Sequence, residues 1–210
     1  MLLSSTLRLL EVSYRTMVPG DLVDWHAHRH HELCLILEGK PTVGWAGGKL
    51  FPAADTLFLF QESEAHGIWN SASVPARLWS FEFRIRSNLK TQFRELLELS
   101  PQRRVLKLSA DQRKGFCNAC QKLALENGAL GFLNALAASA WLALQLVNVT
   151  RWLLAHSDGD LPDAIEEIDP QCFELRQNNS SPRCVRTDWN HERKIPAAER
   201  CVISDVTTGL

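Results

Sequence analysis

One stretch near the start of the chain fixes the spacing of two glycines, two histidines and a glutamate. It reads Gly20, five residues, His26, one residue, His28, three residues, Glu32, six residues and Gly39. Residues two apart on a β-strand face the same side, so His26 and His28 point together and Glu32 keeps the same parity. We expect a fourth polar group from a neighbouring strand, and His66 is the candidate. The spacing therefore predicts a cluster of polar side chains inside a β-structure.

The four side chains of this cluster suit a divalent metal. Three imidazoles and one carboxylate are typical ligands of zinc, iron, manganese or nickel. The same groups would also line a polar pocket that holds no metal, and the sequence leaves both interpretations open. Trp25 and Trp45 are candidates for stacking on a bound ligand in either case, because an indole presents a broad apolar face.

Short strands separated by turn signals fill the first part of the chain. Leu33 to Leu37 and Thr56 to Phe60 are apolar runs of strand length, and Leu78 to Ile85 alternates polar and apolar residues. Such a series of short strands is typical of a sandwich or barrel. Glu82 on the alternating strand is a candidate for contact with a ligand, although we prefer a surface role, and we interpret His30 and His31 as solvated loop or rim residues.

Helical spacing dominates the second part of the chain. A helix is predicted over Leu89 to Leu99, and Ser109 with Gln112 forms a capping box that starts a helix ending near Asn127. A long helix from about Ala129 to Ala155 follows a short connection, so the pair forms an antiparallel hairpin. The long helix has the length of a membrane span, but polar residues interrupt it. We therefore expect a buried or interface helix and no membrane partner.

Composition limits the class and the compartment. Lys and Arg number 23 against 24 Asp and Glu, so the chain lacks the basic excess of a dedicated nucleic-acid binder. Its first ten residues do not have the charged start, apolar middle and cleavage site of a signal peptide. The six cysteines are then expected to be reduced, and the predicted location is the cytoplasm.

These features together resemble the cupin superfamily. The stretch from Gly20 to Gly39 matches the first cupin motif at every fixed position, and Gly48, Pro52 and the step from His66 to Asn70 match part of the second. Residues Gln61 to Ala65 replace the proline–glycine turn of the family. The resemblance covers about residues 6 to 86. It implies a double-stranded β-helix, or jelly-roll barrel, whose pocket carries the three histidines and Glu32.

A narrower resemblance extends into the helices. The segments that carry it are Trp25-His26-x-His28, His31-Glu32-Leu33, Gly39, Asp55 to Leu59, His66 and Trp79 to Phe83, followed by the helical hairpin. This order looks like the N-terminal sensor half of AraC-type transcriptional regulators. The resemblance implies a barrel that binds a small effector, often a sugar, and a hairpin that forms a homodimer. In that family a C-terminal domain with two helix-turn-helix units binds DNA.

The C-terminal part departs from that family. Asp160 to Glu167 resembles the entry helix of the DNA-binding half, but only about fifty residues follow Ser157, and they lack the helical pattern of two recognition units. We therefore expect a barrel at 1–87, a dimerising hairpin at 88–157, and a linker with a disordered or aberrant tail at 158–210. The helix-turn-helix domain is expected to be missing, and DNA is a partner only for an intact full-length relative.

Two functions from different classes fit these residues. The first is the small-molecule sensing module of an AraC-type regulator, with a sugar as one candidate effector. The second is a metal-dependent cupin enzyme, either a dioxygenase or an isomerase. No general acid or base stands out near the motif, and the helical hairpin suits a regulator better than a small cupin enzyme. We therefore favour a sensor without enzymatic activity.

Overall fold

The computed structural model describes residues 6–45, 48–128, 131–155 and 165–166. Its strands are β1 (Leu7–Met17), β2 (Leu22–His26), β3 (His31–Glu38), β4 (Thr42–Trp45), β5 (Gly48–Leu50), β6 (Thr56–Phe60), β7 (His66–Trp69), β8 (Ala76–Ile85), β9 (Val105–Lys107) and β10 (Ile165–Glu166). Its helices are α1 (Ser87–Lys90), α2 (Arg94–Leu97), α3 (Ala110–Asn127) and α4 (Phe132–Ala155), and Gln102–Arg104 form a single 3₁₀ turn.

The strands form two antiparallel sheets. The first has the order β1-β8-β3-β6-β9, and the second has the order β10-β5-β4-β7-β2. From β1 to β8 the chain alternates between the two sheets, except that β4 and β5 form a hairpin within the second sheet, as in a jelly roll. This confirms the predicted fold class: a mainly β, cupin-type barrel followed by helices.

Each face of the first sheet belongs to a different hydrophobic core. Cys34, Phe58 and Leu78 pack with residues of the second sheet, such as Val43 and Ile68, inside the barrel. Residues of the opposite parity, which include Leu33, Leu57 and Phe81, pack with the helices. Side chains of a strand alternate between its two faces, so the same strands serve both cores.

Helices α3 and α4 cover the outer face of the first sheet. The predicted capping box is present, since Ser109 Oγ accepts from the Gln112 amide and Gln112 Oε1 accepts from the Ser109 amide. Phe116 of α3 contacts Phe81 with ring centroids 5.5 Å apart. Helix α4 is long and apolar enough to cross a membrane by length and composition. Here Leu142 and Leu146 on one of its faces are fully buried in the shared core.

Two local predictions are wrong. The helix predicted over Leu89 to Leu99 is two short helices, α1 and α2, joined by a turn. Ile165–Glu166 belong to strand β10, which pairs with β5, where the resemblance to the entry helix at Asp160 to Glu167 implies a helix. The predictions for the rest of the tail, 158–164 and 167–210, fall outside the described residues.

Candidate metal centre

The four predicted ligands come from three strands and a turn. His26 is the last residue of β2, His28 lies in the turn that follows, Glu32 is the second residue of β3, and His66 is the first residue of β7. The parity argument assumed that His26, His28 and Glu32 share one strand, and in the structure they do not. They converge because the β2–β3 turn folds back and because β2 pairs with β7, which places His66 directly opposite His26.

The ligand atoms of these side chains form a compact group. One atom from each of His26, His28, Glu32 and His66 lies within 4.8 Å of the others. Oε2 of Glu32 is 3.2 Å from Nε2 of His28 and 3.2 Å from Nε2 of His66. The ring of His66 is buried and stacks on Phe60, with centroids 4.1 Å apart. This stacking holds the imidazole edge toward the carboxylate.

Backbone carbonyl groups orient all three imidazoles in the same way. The Nδ1 atoms of His26, His28 and His66 each lie 2.9 Å from a carbonyl oxygen, those of Asp24, His30 and Glu64 respectively. A carbonyl oxygen only accepts, so each Nδ1 carries the proton. In a neutral ring this leaves the Nε2 lone pair for a cation, whereas a ring that is also protonated on Nε2 donates from it to Glu32 instead. Histidines that ligate metals usually donate their second nitrogen in this way.

The pKa values of the cluster show a carboxylate held in its charged form. Burial raises the pKa of Glu32, but the hydrogen bonds from His28 and His66 outweigh it and lower the pKa to about 2. Burial likewise lowers the pKa of His28, and the hydrogen bond to Glu32 outweighs it, so that pKa is raised. Burial lowers the pKa of His26. Near neutral pH the centre offers one negative charge and imidazole nitrogens to a cation.

A turn stabilised by a buried ion pair positions His66. Residues 61–65 form a turn in place of the proline–glycine turn of the cupin motif. The Glu64 side chain closes this turn by accepting from the Gln61 amide at 2.8 Å. Arg104 donates to both carboxylate oxygens of Glu64 and to the Leu59 carbonyl. In the same turn, the Ser63 amide donates to the His28 carbonyl at 2.8 Å. The turn therefore ties the two sides of the centre together.

The two predicted tryptophans occupy opposite sides of the second sheet. Trp45 is buried inside the barrel, pairs with His66 across the strands and contacts Phe58 edge-on with centroids 5.9 Å apart. Trp25 lies on the outer face, since a Cβ on the outward-facing Gly44 would be 2.9 Å from its ring. Its ring packs edge-on against Trp69. The structure therefore places Trp45 inside the barrel and Trp25 on the outer face of the second sheet.

Sequence reasoning missed a row of polar residues on the inner face of the first sheet. Glu82 lies opposite Glu32 on one neighbouring strand and opposite Glu11 on the other, and two residues away on β8 the hydroxyls of Ser80 and Ser13 are 2.9 Å apart. The alternation of β8 was visible, but its polar side was read as solvent-facing. The aromatic side packs against the helices instead, so the polar side faces into the barrel.

His30 and His31 are also not solvated rim residues. Nε2 of His30 lies 2.7 Å from Oε2 of Glu82, yet burial and the charges of His28 and Arg84 lower the pKa of His30 to about 4. The His30 ring is therefore neutral near pH 7, and it contacts Glu82 without forming an ion pair. His31 is buried on the outer face of the sheet, and burial lowers its pKa to about 4.

Asn70, the last residue of the partial second motif, stabilises the barrel and takes no part in the cluster. Its Nδ2 donates to the carbonyls of Met17 and Val74, at 2.8 and 3.0 Å. Its backbone amide donates to the Asp21 carbonyl. These bonds join the end of β1, the following turn and the loop after β7.

The residues present fit a divalent transition metal. The ligand set is three imidazole nitrogens and one ionised carboxylate, and each imidazole is oriented by a backbone acceptor. Such a set leaves one or two positions open for water or a ligand when the metal is six-coordinate. When bound, the ion would supply Lewis-acid chemistry or a coordination position for a small ligand.

No protein-family model matches the chain, and no curated protein matches it. Solved structures are similar to part of it. A predicted oxalate decarboxylase from Thermotoga maritima is 19% identical, with a TM-score of 0.36 over 38% of this chain and 69% of that one. A cupin 2 conserved barrel domain protein from Salinispora arenicola is 13% identical, with a TM-score of 0.33 over 42% of this chain and 81% of that one. A salicylate 1,2-dioxygenase from Pseudaminobacter salicylatoxidans is 17% identical, with a TM-score of 0.33 over 41% of this chain and 28% of that one.

The architecture defines the class of this protein. It has a cupin fold, since two antiparallel sheets form a jelly roll followed by helices. Between the sheets lies a cluster of three histidines and a glutamate that could hold a metal.

Proposed function

We propose that this protein is a small-molecule sensor whose barrel holds a divalent transition metal at His26, His28, Glu32 and His66. The observation that carries the metal centre is the shared orientation of the three imidazoles, each with Nδ1 on a backbone carbonyl. Nothing in ordinary core packing requires three neighbouring rings around one carboxylate each to place Nδ1 on a backbone carbonyl. Histidines that ligate a metal ion are usually oriented in this way.

The ligand is proposed to enter the barrel beside the metal centre. Glu82, Ser80 and Ser13 line the inner face next to Glu32 and offer hydrogen-bond acceptors and donors to a polar molecule. Trp45 and Phe58 form the apolar wall deeper in the barrel. Polar groups on one side and an apolar wall on the other are typical of sites for small, hydroxyl-rich ligands, among them sugars.

The output of the sensor is proposed to pass through the helices. The outer face of the sheet that carries Glu32 and Glu82 packs directly against α3 and α4. A ligand that favours one packing of sheet and helices shifts the population toward it. The sensor half of an AraC-type regulator acts in this way. We therefore propose that this chain is the sensing module of an AraC-type regulator and that it acts in the cytoplasm.

The partner of the helices is proposed to be a second copy of this chain. Leu133 and Leu144 of α4 are about three helical turns apart and on the same side, and both are more than half exposed. Arg151 is the first charged residue of that helix. An uncharged face with large exposed leucines suits a homodimer. Analytical ultracentrifugation at micromolar concentration tests this, and a strictly monomeric species would count against it.

A second candidate function is a metal-dependent enzyme. The observation in its favour is Glu82, a carboxylate that faces Glu32 across the strands. Burial and the neighbouring charge of Glu32 raise the pKa of Glu82, which brings it closer to the range useful for proton transfer. The sequence alone gave no such group beside the motif.

Metal content and ligand stabilisation separate these possibilities. The purified chain is expected to bind zinc or cobalt stoichiometrically, and the variant carrying both His26→Ala and His28→Ala is expected to lose at least about a hundredfold in affinity. His31→Asn is the matched control, because it replaces a neighbouring histidine that lies on the other face of the sheet. Unchanged affinity in the double variant would refute the centre.

A thermal-shift screen of sugars then tests the sensor. Stabilisation by a sugar without turnover supports the sensor, whereas oxygen consumption or product formation by the metal-loaded protein supports the enzyme. The Ser80→Ala variant should weaken stabilisation by the ligand if the inner face binds it.

A further inference from the structure

A second group of ligand atoms lies beside the candidate metal centre. One ring nitrogen each from His28 and His30 and one carboxylate oxygen of Glu82 lie within 4.8 Å of one another. The His28 and His30 rings are stacked nearly parallel, with centroids 3.7 Å apart and an interplanar angle of 8°, so one ring must turn for both to bind the same ion. Two imidazoles and a carboxylate at this spacing are a ligand set for a borderline divalent cation.

The contact between His30 and Glu82 is close but not aligned. Nε2 of His30 lies 2.7 Å from Oε2 of Glu82. Within the described part of the chain, however, this buried Nε2 has no partner with hydrogen-bond geometry. A nitrogen and a carboxylate that approach without sharing a proton are arranged as two ligands of one ion would be. A cation bound to both atoms would complete this contact.

The register of the first sheet gives a separate reason for a cation here. Glu32 and Glu82 are directly opposite each other on β3 and β8, and Glu11 is opposite Glu82 on β1. Like charges in directly opposed positions destabilise a sheet. A cation beside Glu82 would offset the repulsion.

We propose that His28, His30 and Glu82 form a second position for a divalent transition metal beside the first, on the side of Glu32 that faces β8. We call it the outer position and the first centre the inner position. A neutral imidazole offers one lone pair, so His28 serves one ion at a time. An ion therefore occupies either the outer position or the inner one. The inference rests on the proposed metal centre only through this shared histidine.

The test removes the inner position and asks what remains. In the full chain carrying His26→Gln and His66→Gln, isothermal titration with zinc is expected to show one residual ion, bound at least about tenfold more weakly than by wild type. Adding Glu82→Gln or His30→Gln should weaken this residual binding by at least about another tenfold. Glu38→Gln is the matched control, because Glu38 is an acid of the same sheet that pairs with Arg77 and lies outside both groups.

Cobalt spectra supply a readout that does not depend on affinity. The d–d absorption of cobalt in the His26→Gln, His66→Gln variant should differ from wild type, because two nitrogens and one carboxylate replace three nitrogens and one carboxylate. Circular dichroism checks the fold, and His26→Gln alone, at an exposed position, is the second background if the double variant does not fold.

The outcomes distinguish the two proposals. Wild-type binding with no residual ion in the variant, or a residual ion indifferent to Glu82→Gln and His30→Gln, overturns the second position and leaves the first centre intact. No binding by the wild type overturns both. Residual binding that depends on Glu82 and His30 and spares the control establishes the outer position.

Discussion

The two faces of the first sheet differ in their chemistry along β8. Along β8, Trp79, Phe81 and Phe83 pack outward into the helices, whereas Ser80 and Glu82 point inward beside the metal-ligand cluster. One alternating strand thus supplies both a hydrophobic core and a polar site. The difference teaches that around Glu82 stability and chemistry are separated by side-chain parity. Substitutions of the aromatic residues on the outer side of β8 should affect folding, and those of Ser80 and Glu82 on its inner side should affect binding.

The largest expected effect comes from the outer face. Phe81 is fully buried and contacts Phe116 of α3, so Phe81→Ala should lower the free energy of unfolding by about 4 kcal/mol through lost burial and the cavity left behind. Urea unfolding at fixed protein concentration measures this. Phe51, at 47% exposure, is the matched control, and Phe51→Ala should cost less than about 1 kcal/mol. Equal losses of unfolding free energy in Phe81→Ala and Phe51→Ala would show that the outer face of β8 contributes no more to stability than an exposed position.

The next effect tests a contact that serves both stability and the site. Arg104 and Glu64 are buried together beneath the turn that leads to His66. Arg104→Met leaves the carboxylate buried without its partner, and it should cost about 3 kcal/mol of stability. It should also weaken metal binding by about tenfold, because the turn no longer fixes His66 and the His28 carbonyl.

The exposed ion pair between Arg94 and Glu98 is the control for Arg104. Arg94→Met should change the free energy of unfolding by less than about 0.5 kcal/mol and leave metal affinity unchanged. A destabilised Arg104→Met protein with wild-type metal affinity would show that the pair stabilises the fold alone and does not position His66.

Much of the architecture could be predicted because its signals are local. The Thr56–Phe60 strand, the capping box at Ser109 and the convergence of His66 with His26 follow from apolar runs, caps and spacing. The predictions that failed are those that depend on which helix or sheet covers which face of a strand. Alternation shows that Glu82 and Phe81 lie on opposite sides of β8, but not that helices cover the aromatic side. That packing decides whether a polar side faces solvent or a pocket.

The same argument explains the histidines and Trp25. Parity along one strand grouped His28 with Glu32, although a turn separates them, and the spacing held only because the turn folds back toward β3. Trp25 precedes His26, so strand alternation already places its ring on the other side. Adjacent residues in a motif therefore need not share a site.

A pH-dependent effect of intermediate size distinguishes the faces. His31 lies on the outer face beside Phe83, and burial lowers its pKa to about 4. The unfolded chain takes up this proton near pH 6.5 and the folded chain does not. The stability that neutral His31 contributes is therefore fully present above pH 6.5 and is lost as the pH falls toward 4.

Replacing His31 should remove that loss. His31→Asn retains an acceptor for the Glu62 amide, which donates to Nδ1 of His31 at 3.2 Å. The fall in unfolding free energy between pH 7 and pH 5 should be smaller than in wild type by about 2 kcal/mol. Urea unfolding at both pH values measures it. Parallel pH profiles in the two proteins would mean that His31 is solvated, as the sequence suggested.

The smallest expected effect concerns the inner face itself. The hydroxyls of Ser13 and Ser80 are 2.9 Å apart on neighbouring strands, and a cross-strand pair of this kind contributes about 0.5 kcal/mol. Ser80→Ala should cost about that amount, and adding Ser13→Ala should cost little more, because removing both partners leaves no unpaired hydroxyl. A double-mutant cycle by urea unfolding gives the coupling. A loss above about 2 kcal/mol from Ser80→Ala alone would mean that the inner face also holds the fold together, and the separation of the two faces would then be one of degree.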